Sequence, residues 1–193
     1  KMGDEVTDDK KSGNYEVTDT DKKEVSYKAP VNKKSKTITV PATIEIDGVT
    51  YQVTKIAVNA FKGNKTITKV TIGSNIKNIG KNAFSGATKL KTVTIGKNVT
   101  EIGENAFKGC TSLTKITLPA KTTKIGSNAF SGCKNLKTLT IKSTKLNSKT
   151  VSKNAFKELN KATIIKVPKR KLEAYKRLFK SKGLSSKVKI KMY

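Results

Sequence analysis

The chain has 193 residues, 35% of them hydrophobic and 6% aromatic, which is room for one ordinary domain with a lean core. It carries 41 Lys and Arg against 14 Asp and Glu, a net charge of +27, with no histidine and no tryptophan. That composition removes the commonest general base and metal ligand, and the lack of any run of about 18 apolar residues excludes a membrane-spanning helix.

Residues 1–13 are polar and are expected to be disordered. No signal peptide is visible, so this start reads as that of a mature or truncated chain. Tyr15–Val17 and Val25–Tyr27 read as strands around the polar turn Asp19–Glu24. Thr37-Ile38-Thr39-Val40-Pro41 looks like an incomplete copy of the strand unit that recurs later. Ile44–Ile46 and Val49–Val53 flank Asp47-Gly48, a strong two-residue hairpin signal. Residues 14–52 therefore read as a β-rich N-terminal cap.

Residues 53–168 repeat. Asn-Ala-Phe ends at Phe61, Phe84, Phe107, Phe130 and Phe156, in three steps of 23 residues and one of 26. A fixed period of that size is one coil of a solenoid, and this segment holds about five. Within a coil the inward positions follow Leu-x-x-Val-x-Ile, as in Leu90-x-x-Val93-x-Ile95, the strand signature of leucine-rich repeats. The period-2 piece is β-branched and half buried, as a strand requires. Two sets of glycines mark corners: Gly63, Gly86, Gly109 and Gly132, and Gly80, Gly103 and Gly126. Asn-Ala-Phe is too short for a full helix and reads as a single helical or 3₁₀ turn, with Phe in the core and Asn as a cap or corner residue bonded to backbone.

Pro168 closes the last strand, Ile164–Val167, and opens residues 169–193. Leu172, Tyr175, Leu178 and Phe179 fall on one helical face, and Gly183 stops the helix. The opposite face is basic: Lys171, Lys176, Arg177 and Lys180. Such a helix can seek a membrane surface, but the apolar face is better used to close the core. A short strand, Val188–Met192, completes this cap.

No catalytic constellation is present. Nucleophile-elbow and phosphate-loop motifs are missing. Glu101 and Glu104 could act as a pair only on a helix, and their segment reads as a corner. A zinc site needs about four ligands, which two cysteines without histidine cannot supply; no metal or cofactor is expected. Cys110 and Cys133 hold equivalent positions in neighbouring coils. Their Cα atoms should be about 5 Å apart, within disulfide range, yet parallel stacking of the side chains favours two free core thiols.

Charge is unevenly placed: residues 1–24 carry −3 and the remainder +30. A field of that size attracts polyanions. Specific nucleic-acid readers lean on arginine forks and stacking aromatics. Here Arg170 and Arg177 are the only arginines. Outward strand positions form columns: Lys69, Thr92, Lys115, Thr138; then Thr71, Thr94, Thr117, Thr140, Lys166; and Thr68, Lys91, Thr114, Lys137. A further column, Lys62, Ser85, Lys108 and Ser131, lies beside the corner. Lysine and hydroxyl residues alternate in three of these, which separates like charges by about 10 Å, more than the roughly 8 Å screening length. The pattern suits a solvated coat. If a partner docks, the threonine floor framed by Lys69, Lys115, Lys142 and Lys166 is the candidate surface.

The string Ile-Gly-x-Asn-Ala-Phe-x-Gly-Cys-x-x-Leu-x-x-Ile-x-Leu-Pro, from Ile102 to Pro119, resembles the BspA-like (Treponema-type) leucine-rich repeat. The resemblance covers roughly residues 53–168, departing after Ser143 by three inserted residues and by Glu158 at a corner glycine position. It implies an α/β solenoid: a right-handed leucine-rich repeat superhelix with a parallel sheet on its concave face, short helical turns on the convex side, a β-hairpin N-cap and a helical C-cap. It also implies no catalytic activity. Members of that family are typically secreted or displayed on bacterial surfaces, and some are adhesins. The function so implied is a monomeric protein-interaction or adhesion module whose ligand is host extracellular matrix or another cell surface. The alternative is binding of a polyanion or cell-wall glycopolymer through the basic surface.

Overall fold

Alternating β-branched residues give each coil a short extended piece, and the coils stack these pieces side by side. In the computed structural model, which describes residues 1–8, 10 and 12–193, the elements in chain order are β1 (Glu5–Thr7), β2 (Asn14–Asp19), β3 (Glu24–Ala29), β4 (Thr37–Val40), β5 (Thr43–Ile46), β6 (Val49–Ile56), β7 (Lys69–Ile72), β8 (Asn78–Ile79), β9 (Thr92–Thr94), β10 (Glu101–Ile102), β11 (Lys115–Leu118), β12 (Lys124–Ile125), β13 (Thr138–Ile141), β14 (Ile164–Val167), α1 (Leu172–Ser181) and β15 (Lys189–Met192).

Two sheets result. The front sheet is parallel throughout, in the order β4-β7-β9-β11-β13-β14-β15. The back sheet runs β1-β2-β3-β6-β8-β10-β12, with β5 added to β6. Its first strands pair antiparallel and its later ones parallel. The chain is thus a β-solenoid of about seven turns. The hairpin of β5 and β6 turns at Asp47 and Gly48, both with positive φ (50° and 73°), as a two-residue turn of the primed type demands.

The core is a column between the sheets. Its spine is aromatic: Phe61, Phe84, Phe107, Phe130 and Phe156 stack ring on ring, with centroids 4.8 to 6.1 Å apart and planes within 9°. Tyr27 stacks on Phe61 at one end, and Tyr15 meets Tyr27 edge-on. At the other end Phe179 of α1 meets Phe156, and Tyr175 follows. All six phenylalanines of the chain lie in this ladder.

The Asn-Ala-Phe segments form no full helix; each is a single turn closed by an i to i+3 bond, as in a 3₁₀ helix, with the Ser85 N–H donating to the Asn82 carbonyl (3.0 Å). A four-residue turn overlaps it on either side. The Ala83 N–H donates to the Gly80 carbonyl (3.2 Å), with Asn82 third of the four at φ 55°. The Ala87 N–H then donates to the Phe84 carbonyl (3.0 Å), with Gly86 third at φ 71°. A left-handed third residue selects Gly or Asn. The Asn is therefore chosen by its backbone, not by a side-chain cap. These turns also bond from coil to coil: the Phe84 N–H donates to the Ala106 carbonyl at 2.7 Å. The other glycine set has a different cause. A Cβ on Gly103 would sit 2.7 Å from the Gly80 carbonyl carbon, so the backbones of adjacent coils meet there.

Two points differ from the sequence reading. Glu5–Thr7, within the stretch expected to be disordered, pairs antiparallel with β2. Glu101–Ile102, in the segment read as a corner, is a strand of a second sheet, and the turn begins after it at Gly103, where the Ala106 N–H donates to the Gly103 carbonyl (3.2 Å). As expected of an incomplete copy of the repeat strand, β4 continues the front sheet, with Thr37 opposite Lys69.

Candidate binding face

The front sheet presents its outward residues in straight rows. Strand pairing sets one row as Thr37, Lys69, Thr92, Lys115, Thr138, Ile164, Lys189. The next is Thr39, Thr71, Thr94, Thr117, Thr140, Lys166, Lys191. The structure therefore brings together Lys69, Thr71, Thr92, Thr94, Lys115, Thr117, Thr138, Thr140 and Lys166 on one surface. Lys142 lies one residue past β13, with its N–H donated to the Leu118 carbonyl (3.0 Å). Thr37, Thr39, Lys189 and Lys191 belong to the same rows and were missed. Both segments had been recognised as strands, but their register follows only once the cap and helix are placed.

A groove of about 740 Å³ lies on this face. Thr92, Thr94, Lys115, Thr117 and Lys142 line it, and Ile95, Pro119 and Ala120 give it an apolar patch. Its rim carries Lys97 and Lys121, the latter donating to Asn98 (2.6 Å). Lys69, Thr71, Thr138, Thr140 and Lys166 lie outside the groove.

The two faces differ in charge. On the back face, acids and lysines from neighbouring coils pair, Lys124 with Glu101 at 2.6 Å and Lys81 with Glu104 at 3.0 Å, and Lys77 reaches Glu24 at 3.5 Å across β6. Asn78 also donates to Glu101 (3.1 Å). Glu101 and Glu104 thus have separate partners and form no carboxylate pair. The front rows contain no acid. Among the described residues, Lys69, Lys115, Lys142, Lys166, Lys189 and Lys191 make no ion pair.

The thiols sit inside the column. Cys110 donates to the Phe84 carbonyl (3.1 Å) and Cys133 to the Phe107 carbonyl (3.2 Å), and both are free and buried. Burial pushes the Cys133 thiol up to about 12 and the Cys110 thiol well above its ordinary value. Neither is a nucleophile in the folded chain. Among the described residues, no group of three or more His, Cys, Asp or Glu could hold a metal ion, and no helix is long and apolar enough to cross a membrane.

Residues 54–185 match the model of the BspA type leucine-rich repeat region, in six copies. The chain belongs to the BspA-type leucine-rich repeat family. No curated protein matches it. Among solved structures it is similar to a leucine-rich repeat protein of Bacteroides capillosus, with 27% identity and a TM-score of 0.62 over 71% of this chain and 97% of that one. A leucine-rich cell surface protein of Faecalibacterium prausnitzii has 24% identity and a TM-score of 0.62, over 100% of this chain and 51% of that one. The pneumococcal vaccine antigen PcpA has 22% identity and a TM-score of 0.63, over 88% of this chain and 51% of that one. The chain spans about half the length of these last two proteins, which share its fold.

Proposed function

We propose that the chain is a non-catalytic interaction or adhesion module of a secreted or surface-displayed bacterial protein, and that it engages its ligand through the front sheet. The observation that carries this reading is the acid-free face of lysine and threonine rows around the groove. A solenoid offers an extended surface that is rigid before the ligand arrives, and rigid presentation lowers the cost of binding. Family membership and the likeness to a Faecalibacterium cell surface protein support the location.

The test is a solid-phase binding screen on host matrix proteins and whole cells. It compares the wild-type chain with a variant carrying Lys69→Glu, Lys115→Glu, Lys142→Glu and Lys166→Glu. Binding should fall by about tenfold or more, the equivalent of roughly 1.4 kcal/mol. Unchanged binding by the variant would remove the front sheet as the contact surface.

A further inference from the structure

The lysines at the start of the front strands follow a zigzag. Coil by coil, two consecutive exposed or half-exposed positions hold Thr68-Lys69, Lys91-Thr92, Thr114-Lys115 and Lys137-Thr138. Each coil has one lysine and one threonine, and their order reverses at every step. Backbone pairing keeps these positions aligned. The Lys91 N–H donates to the Thr68 carbonyl (2.8 Å), and the Lys137 N–H to the Thr114 carbonyl (2.8 Å). Lys69 faces Thr92, and Lys115 faces Thr92 and Thr138. The result is one ammonium per coil, advancing about 4.8 Å along the solenoid and alternating sides.

Relief of like-charge repulsion does not account for all of this. On the back sheet the same chain neutralises lysines with glutamates from the next coil. Along the zigzag it places no acid, and among the described residues these four lysines have no ion-pair partner. The zigzag is therefore open to a partner of matching charge. The zigzag contains no arginine and no aromatic ring, the groups that grip phosphate forks and stack bases.

We infer that the zigzag binds a linear carboxylate-bearing polysaccharide laid along the solenoid axis. An equatorially linked pyranose chain is a flat ribbon whose successive residues turn over, so their carboxylates alternate between its edges. Each sugar advances by about one interstrand step. Lysines reach the carboxylates on both edges, and the threonine hydroxyls between them meet the sugar hydroxyls. This rests on the front sheet being the binding face, as proposed above.

The probe is a defined polymannuronate oligosaccharide, titrated by calorimetry. Poly(glycerol phosphate) and single-stranded DNA are the comparison polymers, and a matrix protein that binds the wild-type chain is run in parallel. One variant neutralises the zigzag with Lys69→Gln, Lys91→Gln, Lys115→Gln and Lys137→Gln. A second keeps the charge but straightens the row, with Lys91→Thr, Thr92→Lys, Lys137→Thr and Thr138→Lys. A third removes equal charge elsewhere, with Lys62→Gln, Lys108→Gln, Lys134→Gln and Lys161→Gln. Polymannuronate affinity should fall about tenfold or more in the first, fall in the second and stay near wild type in the third. Wild-type affinity in the straightened variant overturns the inference, as does tighter binding of either phosphate polymer. If the straightened variant fails to fold, the first and third variants decide between seam and bulk charge. Loss of the matrix protein in the first variant, without any polymannuronate binding, refutes the polysaccharide and leaves the binding face standing. If neither ligand responds to the first variant, both readings fall.

Discussion

Phe84 and Phe107 lie with ring centroids 5.1 Å apart and planes 2° from parallel. Isolated aromatic pairs favour offset or edge-on geometry; here the coil repeat fixes the orientation of both backbones, so the rings follow. Each ring is buried and touches its neighbour on either side. Phe107→Ala removes the middle of the ladder, and the stiff coil backbone cannot collapse into the void. The expected cost is about 3–5 kcal/mol. Coils depend on their neighbours, so the two halves should also uncouple. Equilibrium denaturation should show a lower midpoint and a broadened or split transition; a curve that overlays the wild type would contradict the core placement of Phe107.

Asn128 tests the account of the turns. Its φ is 54°, and it stands third in the turn that the Ala129 N–H closes on the Gly126 carbonyl (3.3 Å). A left-handed backbone at a residue with a Cβ costs roughly 1–2 kcal/mol, which Asn relieves and Gly avoids. Asn128→Ala should therefore lose about 1 kcal/mol while Asn128→Gly stays near wild type. Thermal melts of the pair give the comparison. Equal stability of the Ala variant would show that the position is selected by something other than backbone conformation.

The front sheet and the inward positions were legible because Leu90-x-x-Val93-x-Ile95 recurs with a fixed period, and periodicity is the strongest signal a sequence holds. The back sheet was not, because Glu101–Ile102 is two residues long and too short to show alternation. Asn in Asn-Ala-Phe suits both a helix cap and a left-handed turn; only the observed φ separates them. Of the candidate face, the middle rows could be read from aligned repeats. Thr37 and Lys189 could not, since a hairpin and a helix stand between them and the repeats. The pairing of Lys124 with Glu101 was hidden for a related reason: the back-sheet register had not been recognised.

The buried thiols give the fold a pH dependence on the alkaline side. Burial raises the Cys133 thiol from about 9 to about 12, and burial raises the Tyr15 hydroxyl from about 10 to about 12. A group whose folded value is raised keeps its proton where the unfolded chain has lost it. Its contribution is complete below the unfolded value and disappears as pH climbs through the folded one. The denaturant midpoint should hold to pH about 9 and then fall towards pH about 12. Cys133→Ala should shallow that fall, since Ala87 already fills the equivalent position two coils earlier. At pH 8, below that range, alkylating reagents should label Cys110 and Cys133 only after denaturation; labelling of the native protein would show that the column opens.

Tyr175 holds the irregular last coil. Its hydroxyl donates to the Ser143 carbonyl (3.0 Å) and accepts from the Leu146 N–H (3.2 Å). Those partners bracket the start of the inserted stretch, and Ser143, Leu146 and Tyr175 are all buried. Tyr175→Phe keeps the ring against Phe179 but strands a carbonyl and an amide out of reach of water. An orphaned buried polar group costs about 1–3 kcal/mol. The loss should be local before it is global, because the ladder from Phe61 to Phe156 is untouched. Hydrogen exchange should therefore speed up at Leu146 and its neighbours while the amides of β9 and β11 keep their protection. Tyr51→Phe, at a ring outside the ladder, is the control and should change neither. Unchanged exchange at Leu146 in the Tyr175 variant would mean that the insertion is held by its own turn, where the Asn147 N–H donates to Thr150 Oγ1 (3.0 Å), and not by the helix.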